Sequence, residues 1–174
     1  MKRSFLTSLF TALVVVVSAQ LPFEKKTVMN PRYPNLHGEK TLARPYASLL
    51  DKYDVHFYKL DLEASDTSAY ISGYALIGAH VTEEVLDTLV LELVSDYTID
   101  SILINGQANY FTRDYDDILI PFSEPLSSGN LFEACVYYKG KVSDSVSRSG
   151  LFHSPEMQIT YTLSEPFYAR SWFP

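Results

Sequence analysis

One cysteine, Cys135, stands in the 174 residues, so the chain can close no disulfide within itself. It lies in NLFEACVYYKG, where apolar residues alternate, and reads as a small buried hydrophobe rather than a nucleophile. Glycine is scarce, at seven residues, against 13 tyrosines and 10 phenylalanines, a balance that leans towards β structure. Bases are outnumbered by acids, 14 to 21, and the net charge of −7 argues against nucleic acid or an anionic membrane surface as a partner. After Val17 no apolar run approaches the length of a membrane span. Catalytic signatures are missing too: the sequence contains no H-E-x-x-H, G-x-S-x-G, P-loop or dinucleotide fingerprint. Of the histidines His37, His56, His80 and His153, HVTEE at His80 and HSPE at His153 each place an acid three residues on. On a strand or loop that spacing does not converge on a metal, and both are expected at the surface or in turns. The RDYDD run, Arg113 to Asp117, lacks the glycine and distal glutamate of a calcium loop and reads as a solvated turn. No catalytic residue and no metal ligand set is expected within this chain.

What is present begins with MKRSFLTSLFTALVVVVSAQ: a basic start at Lys2 and Arg3, an apolar run, and small residues before Gln20. This is the pattern of a secretory signal peptide over residues 1–19. Its removal takes away two bases and no acid, so the mature charge becomes −9. The product is expected to be secreted or periplasmic. Residues 20–50 contain Pro22, Pro31, Pro34 and Pro45 and no clean periodicity, and read as an extended leader ending in a helical turn at YASLLDKY.

Residues 51–174 read as one all-β domain, an antiparallel sandwich or a curved, saddle-like sheet. In YDVHFYKLDLEA, Tyr53, Val55 and Phe57 share one face, then Tyr58, Leu60 and Leu62 alternate in the opposite phase, which predicts a bulge near Tyr58. AYISGYALIGAHV returns as its hairpin partner, with Ala75, Ile77, Ala79 and Val81 on one face. LDTLVLELVSD places Leu89, Leu91 and Leu93 on one side of a further strand. Asn105-Gly106 between apolar runs is the strongest hairpin signal. DDILIPF and NLFEACVYYKG follow, joined through SEPLSSG, then a polar loop KVSDSVSRSG and a last strand MQITYTL.

The closing stretch, YTLSEPFYARSWFP, sets Glu165 among Tyr161, Phe167, Tyr168 and Trp172. A carboxylate only partly hydrated by such neighbours binds a cation well. The cation is either a ligand ammonium or Arg170, and local chemistry leaves both open.

TLSEPFYARSWFP resembles a motif of the aminopeptidase N family of zinc metallopeptidases, with Thr162, Glu165, Ala169-Arg170 and Pro174 in the motif's places. Lys52 to Glu63 resembles the family's opening strand, and Gly150-Leu151-Phe152 its turn before the motif. The resemblance runs from about Tyr53 to Pro174. It implies an N-terminal β domain that packs on a catalytic domain, zinc in the full-length parent, and a peptide substrate whose free α-amine is bound by Glu165. Many members carry Gln where Leu163 stands, so one of two usual amine-contacting side chains is replaced. It further implies that the chain stops before the zinc helix and alone has no peptidase activity. The alternative from residues alone is a stand-alone secreted β-sandwich that binds a protein or glycan. Intact-mass analysis of exported protein is expected to give a mature chain starting at Gln20; a product retaining Lys2 would count against the cleavage.

Overall fold

The computed structural model describes residues 16–17, 45–142, 150–163 and 168–174. The described elements are almost all strands, in antiparallel pairs: β1 (Val16–Val17), β2 (Tyr53–Ala64), β3 (Ile71–Val81), β4 (Val85–Glu92), β5 (Thr98–Ile104), β6 (Gln107–Asn109), β7 (Thr112–Asp114), β8 (Asp117–Ser127), β9 (Leu131–Gly140), β10 (Leu151–Ser154) and β11 (Ile159–Thr162). A helical turn, α1 (Ala47–Leu50), precedes β2 where the sequence places one. A short 3-10 turn spans Ala169–Ser171. The strands form a six-stranded sheet in the order β1-β2-β3-β9-β5-β6, a three-stranded sheet β4-β8-β7, and the separate hairpin β10-β11. This is the all-β sandwich class expected from the sequence.

The inner face of the large sheet follows the period of two. Ala75, Ile77, Ala79 and Val81 of β3 lie beside Phe132, Ala134, Val136 and Tyr138 of β9, and Ile102 and Ile104 of β5 extend the layer. Leu89, Leu91, Ile118 and Ile120 of the small sheet belong to the same buried cluster. Each of the Val, Leu, Ile and Phe side chains among them contributes roughly 1.5–3 kcal/mol on full burial. β4 departs from the expected alternation, because Leu89, Val90 and Leu91 are all buried. A strand covered on both faces has no solvent side to mark with polar residues.

The phase switch in β2 is real but sits two residues earlier than expected. Pairing with β3 shifts register between Val55 and Phe57, so the bulged residue is His56. Tyr53, Val55, Tyr58, Leu60 and Leu62 all pack on the core, while Phe57 pairs with Gly78 on the other face. Asn105 and Gly106 both have positive φ, 49° and 79°, as a tight two-residue hairpin turn requires. The SEPLSSG stretch is mostly strand, since β8 runs on to Ser127 and the turn is made by Ser128, Gly129 and Asn130. Cys135 is not in the core: it is half-buried on the outer face, between Leu76 and Leu103, and burial raises its thiol pKa. His80 and His153 lie within β3 and β10, both half-buried, rather than in turns, and His153 is within hydrogen-bond distance of Thr160. His37 falls outside the described residues. Among the described residues no helix is long and apolar enough to cross a membrane.

Three core tyrosines, Tyr53, Tyr97 and Tyr138, have pKa values raised chiefly by burial. The unfolded chain gives up these protons near the ordinary tyrosine value of 10.0 while the folded chain keeps them. Above that pH the unfolded state therefore binds fewer protons, and stability falls as pH rises, by ~1.4 kcal/mol per pH unit for each such tyrosine. The Tyr97 hydroxyl is buried with no hydrogen-bond partner among the described residues. Tyr97→Phe is expected to stabilise the fold by about 1 kcal/mol at neutral pH and to flatten the alkaline decline. Denaturant midpoints at neutral and alkaline pH check both, and a variant less stable than the parent chain would show that the hydroxyl has a partner.

Candidate functional site

The segment that carries the motif is irregular, so its placement depends on partners for its backbone. β10 and β11 pair with Leu151 opposite Thr162 and Phe152 opposite Tyr161, whose rings stack 5.4 Å apart. Leu163 N–H then donates to Gly150 O at 2.9 Å, which extends the hairpin by one bond. Gly150 N–H donates in turn to Ser171 Oγ at 2.5 Å, and the Ser171 hydroxyl donates to Tyr168 O. Gly150 thus ties the chain on both sides of residues 164–167. Its lack of a side chain is needed, since a Cβ there would lie 2.6 Å from both Ser171 Oγ and Tyr168 O. Ser171 is the buried polar side chain of the described core, 1% exposed, and both its acceptor and donor capacities are used.

Beyond the turn, Val94 N–H donates to Arg170 O at 2.9 Å and the Tyr138 hydroxyl to Trp172 O at 2.8 Å. Phe173 packs edge-on to Tyr58, and Trp172 against Phe173. The Arg170 guanidinium pairs with Glu92 at the end of β4, at 3.2 Å, with both groups mostly buried. Sequence reasoning considered only Glu165 for that cation and missed Glu92, which is distant in the chain. It missed Ser171 and Tyr138 as well; the signal was an isolated serine inside an aromatic run.

Glu165 itself falls outside the described residues, and so do its neighbours Ser164, Pro166 and Phe167. Met157, Ile159, Tyr161, Leu163 and Tyr168 are exposed. Trp172 and Phe173 pack on the core, and Pro174 is buried.

No three His, Cys, Asp or Glu side chains among the described residues group to hold a metal ion. His56 and His80 face each other with rings 6.2 Å apart on the outer face of the large sheet, but no third ligand joins them. Zinc therefore does not fit the described residues, and no chemical step is routed through it here.

No protein-family model and no curated protein sequence matches the chain. Solved structures do. The M1 zinc metallopeptidase from Deinococcus radiodurans aligns with a TM-score of 0.55 and 23% identity, over 70% of this chain and 27% of that one. A two-domain M1 zinc metallopeptidase mutant bound to L-tryptophan gives a TM-score of 0.58 and 22% identity, over 71% and 29%. Yeast LTA4 hydrolase in complex with bestatin gives 0.55 and 17%, over 78% and 23%. The chain thus spans about a quarter of the length of these structures, and at such identities the likeness establishes the fold.

Gly150→Ala forces a methyl group into the Ser171–Tyr168 contact. It is expected to destabilise the fold by about 1–3 kcal/mol and to move the environment of Trp172, the only tryptophan. Unfolding curves and tryptophan emission check this; an unchanged emission spectrum would mean that Gly150 does not place the closing segment.

Proposed function

We propose that this chain is the N-terminal β domain of a secreted or periplasmic zinc aminopeptidase of the aminopeptidase N type. The observation that carries the reading is the joint one: the fold is that of M1 zinc metallopeptidase structures, and the same chain ends in the motif with Thr162, Glu165, Ala169-Arg170 and Pro174. In this reading Glu165 binds the protonated α-amine of a peptide, and zinc would be held by residues outside this chain. Two details of the described structure favour it. The Arg170 guanidinium has Glu92 as a partner, so it does not need Glu165 for neutralisation. And the chain entering and leaving residues 164–167 is tied to Gly150 and Ser171, as a carboxylate that must hold a fixed position requires. The exposed apolar group Met157, Ile159, Tyr161, Leu163 and Tyr168 is then the face covered by the catalytic domain.

The reading is tested by extending the reading frame past Pro174 and assaying the longer product. An H-E-x-x-H with a later glutamate and zinc-dependent release of N-terminal residues are expected. In that enzyme Glu165→Ala should lower kcat/KM on free-amine peptides on the order of 30- to 1000-fold, as loss of a partly buried charge pair costs about 2–4 kcal/mol. Glu165→Gln should lower it less, and neither should move Tm. A Glu165→Ala enzyme that melts early yet turns over normally per folded molecule would assign Glu165 a structural role instead.

A further inference from the structure

Arg113, on β7, is half-buried. Its guanidinium donates to four main-chain carbonyls: from Nη1 to Tyr97 O at 2.6 Å, from Nη2 to Leu93 O at 2.5 Å and Val94 O at 2.7 Å, and from Nε to Tyr115 O at 3.0 Å. Three of those carbonyls belong to the connection between β4 and β5, whose Leu93, Val94 and Tyr97 side chains are buried. Few other groups could serve them, because a planar fork with five donors reaches several carbonyls at once and a lysine ammonium does not. Burial lowers the pKa of Arg113, with Asp116 and Asp96 opposing the shift.

The connection gathered by Arg113 is the one that holds the closing segment. Val94 gives its carbonyl to Arg113 and its N–H to Arg170 O. Tyr97 gives its carbonyl to Arg113 and its ring, edge-on at 5.6 Å, to Tyr138, whose hydroxyl donates to Trp172 O. Two routes, one through hydrogen bonds and one through ring packing, run from the same guanidinium to Arg170 within the turn Ala169–Ser171 and to Trp172 just after it.

We propose that Arg113 is the positioning residue of the described part of the motif: by fixing residues 93–97 it sets where Tyr168–Pro174 docks. Its bearing on substrate rests on the reading of Glu165 as amine anchor; the docking itself does not.

The test uses the 174-residue chain and Trp172 as reporter. Arg113→Met keeps the length of the side chain and removes the donors. Its strand signature in circular dichroism should persist, while Trp172 emission moves to the red and the Val94 amide exchanges roughly tenfold faster or more. Arg113→Lys should restore emission only in part. A folded Arg113→Met chain with native emission and native Val94 exchange overturns the proposal, and full restoration by lysine overturns the role of the fork. Should the methionine variant not fold, native-state exchange of the unaltered chain decides: the Val94 and Phe173 amides are expected to open together with one free energy, and distinct opening energies overturn the link. Because none of these readouts involves Glu165, a failed amine-anchor role would leave this result standing, and the reverse also holds.

Discussion

A buried stretch of irregular chain must find a partner for every peptide group, because water cannot reach it and an unpaired amide costs kilocalories. Two partly buried irregular stretches lie against one another here, residues 93–97 and 168–174. Neither has a ladder to join. The solution is a small set of side chains acting as substitutes for strands: Arg113 for the carbonyls of the first, Ser171 and Tyr138 for the second, with Val94 joining the two. The sheets provide a floor of apolar side chains, but the floor is non-directional. The polar set gives the closing segment a single registration on it.

This division also explains what the sequence disclosed. Period-two patterning marks β3 and β9 because each has one dry and one wet face, and Asn105-Gly106 marks a turn because few other pairs accept positive φ twice. β4 is legible as a strand but not as a doubly covered one, since burial on both faces erases the alternation. The His56 bulge shows in the sequence as a change of phase whose location is ambiguous by a residue or two, because Phe57 fits either face. RDYDD was readable as a turn, and Tyr115 at its tip is 88% exposed with φ of 52°. Nothing local reveals that Arg113 folds back into the molecule, because its acceptors are main-chain atoms, which every residue has. The same limit hid Glu92, a partner recognisable only after the strands are assembled. The motif was legible through resemblance, and the role of its glutamate rests on that resemblance together with the fold.

The arrangement separates two tasks within thirteen residues. Arg170, Ser171, Trp172 and Phe173 face the β domain and are consumed in docking. Tyr161, Leu163 and Tyr168 face outward and leave apolar area uncovered. A segment attached on one side and bare on the other leaves apolar area that a second surface can cover.

The order of strands in the large sheet has a kinetic consequence. β3 lies between β2 and β9, and its pairing with β9 runs from His80 with Leu131 to Ile71 with Gly140. The first hairpin can form as soon as it is made, yet one long edge of β3 waits until most of the chain exists, and the intervening β4 to β8 must be looped out before the sheet closes. Such long-range closure slows folding relative to a meander of nearest neighbours. During that interval the Ile77 and Ala79 face has no cover, so the chain passes through a stage in which it is extended, apolar on one side and open to capture by a chaperone.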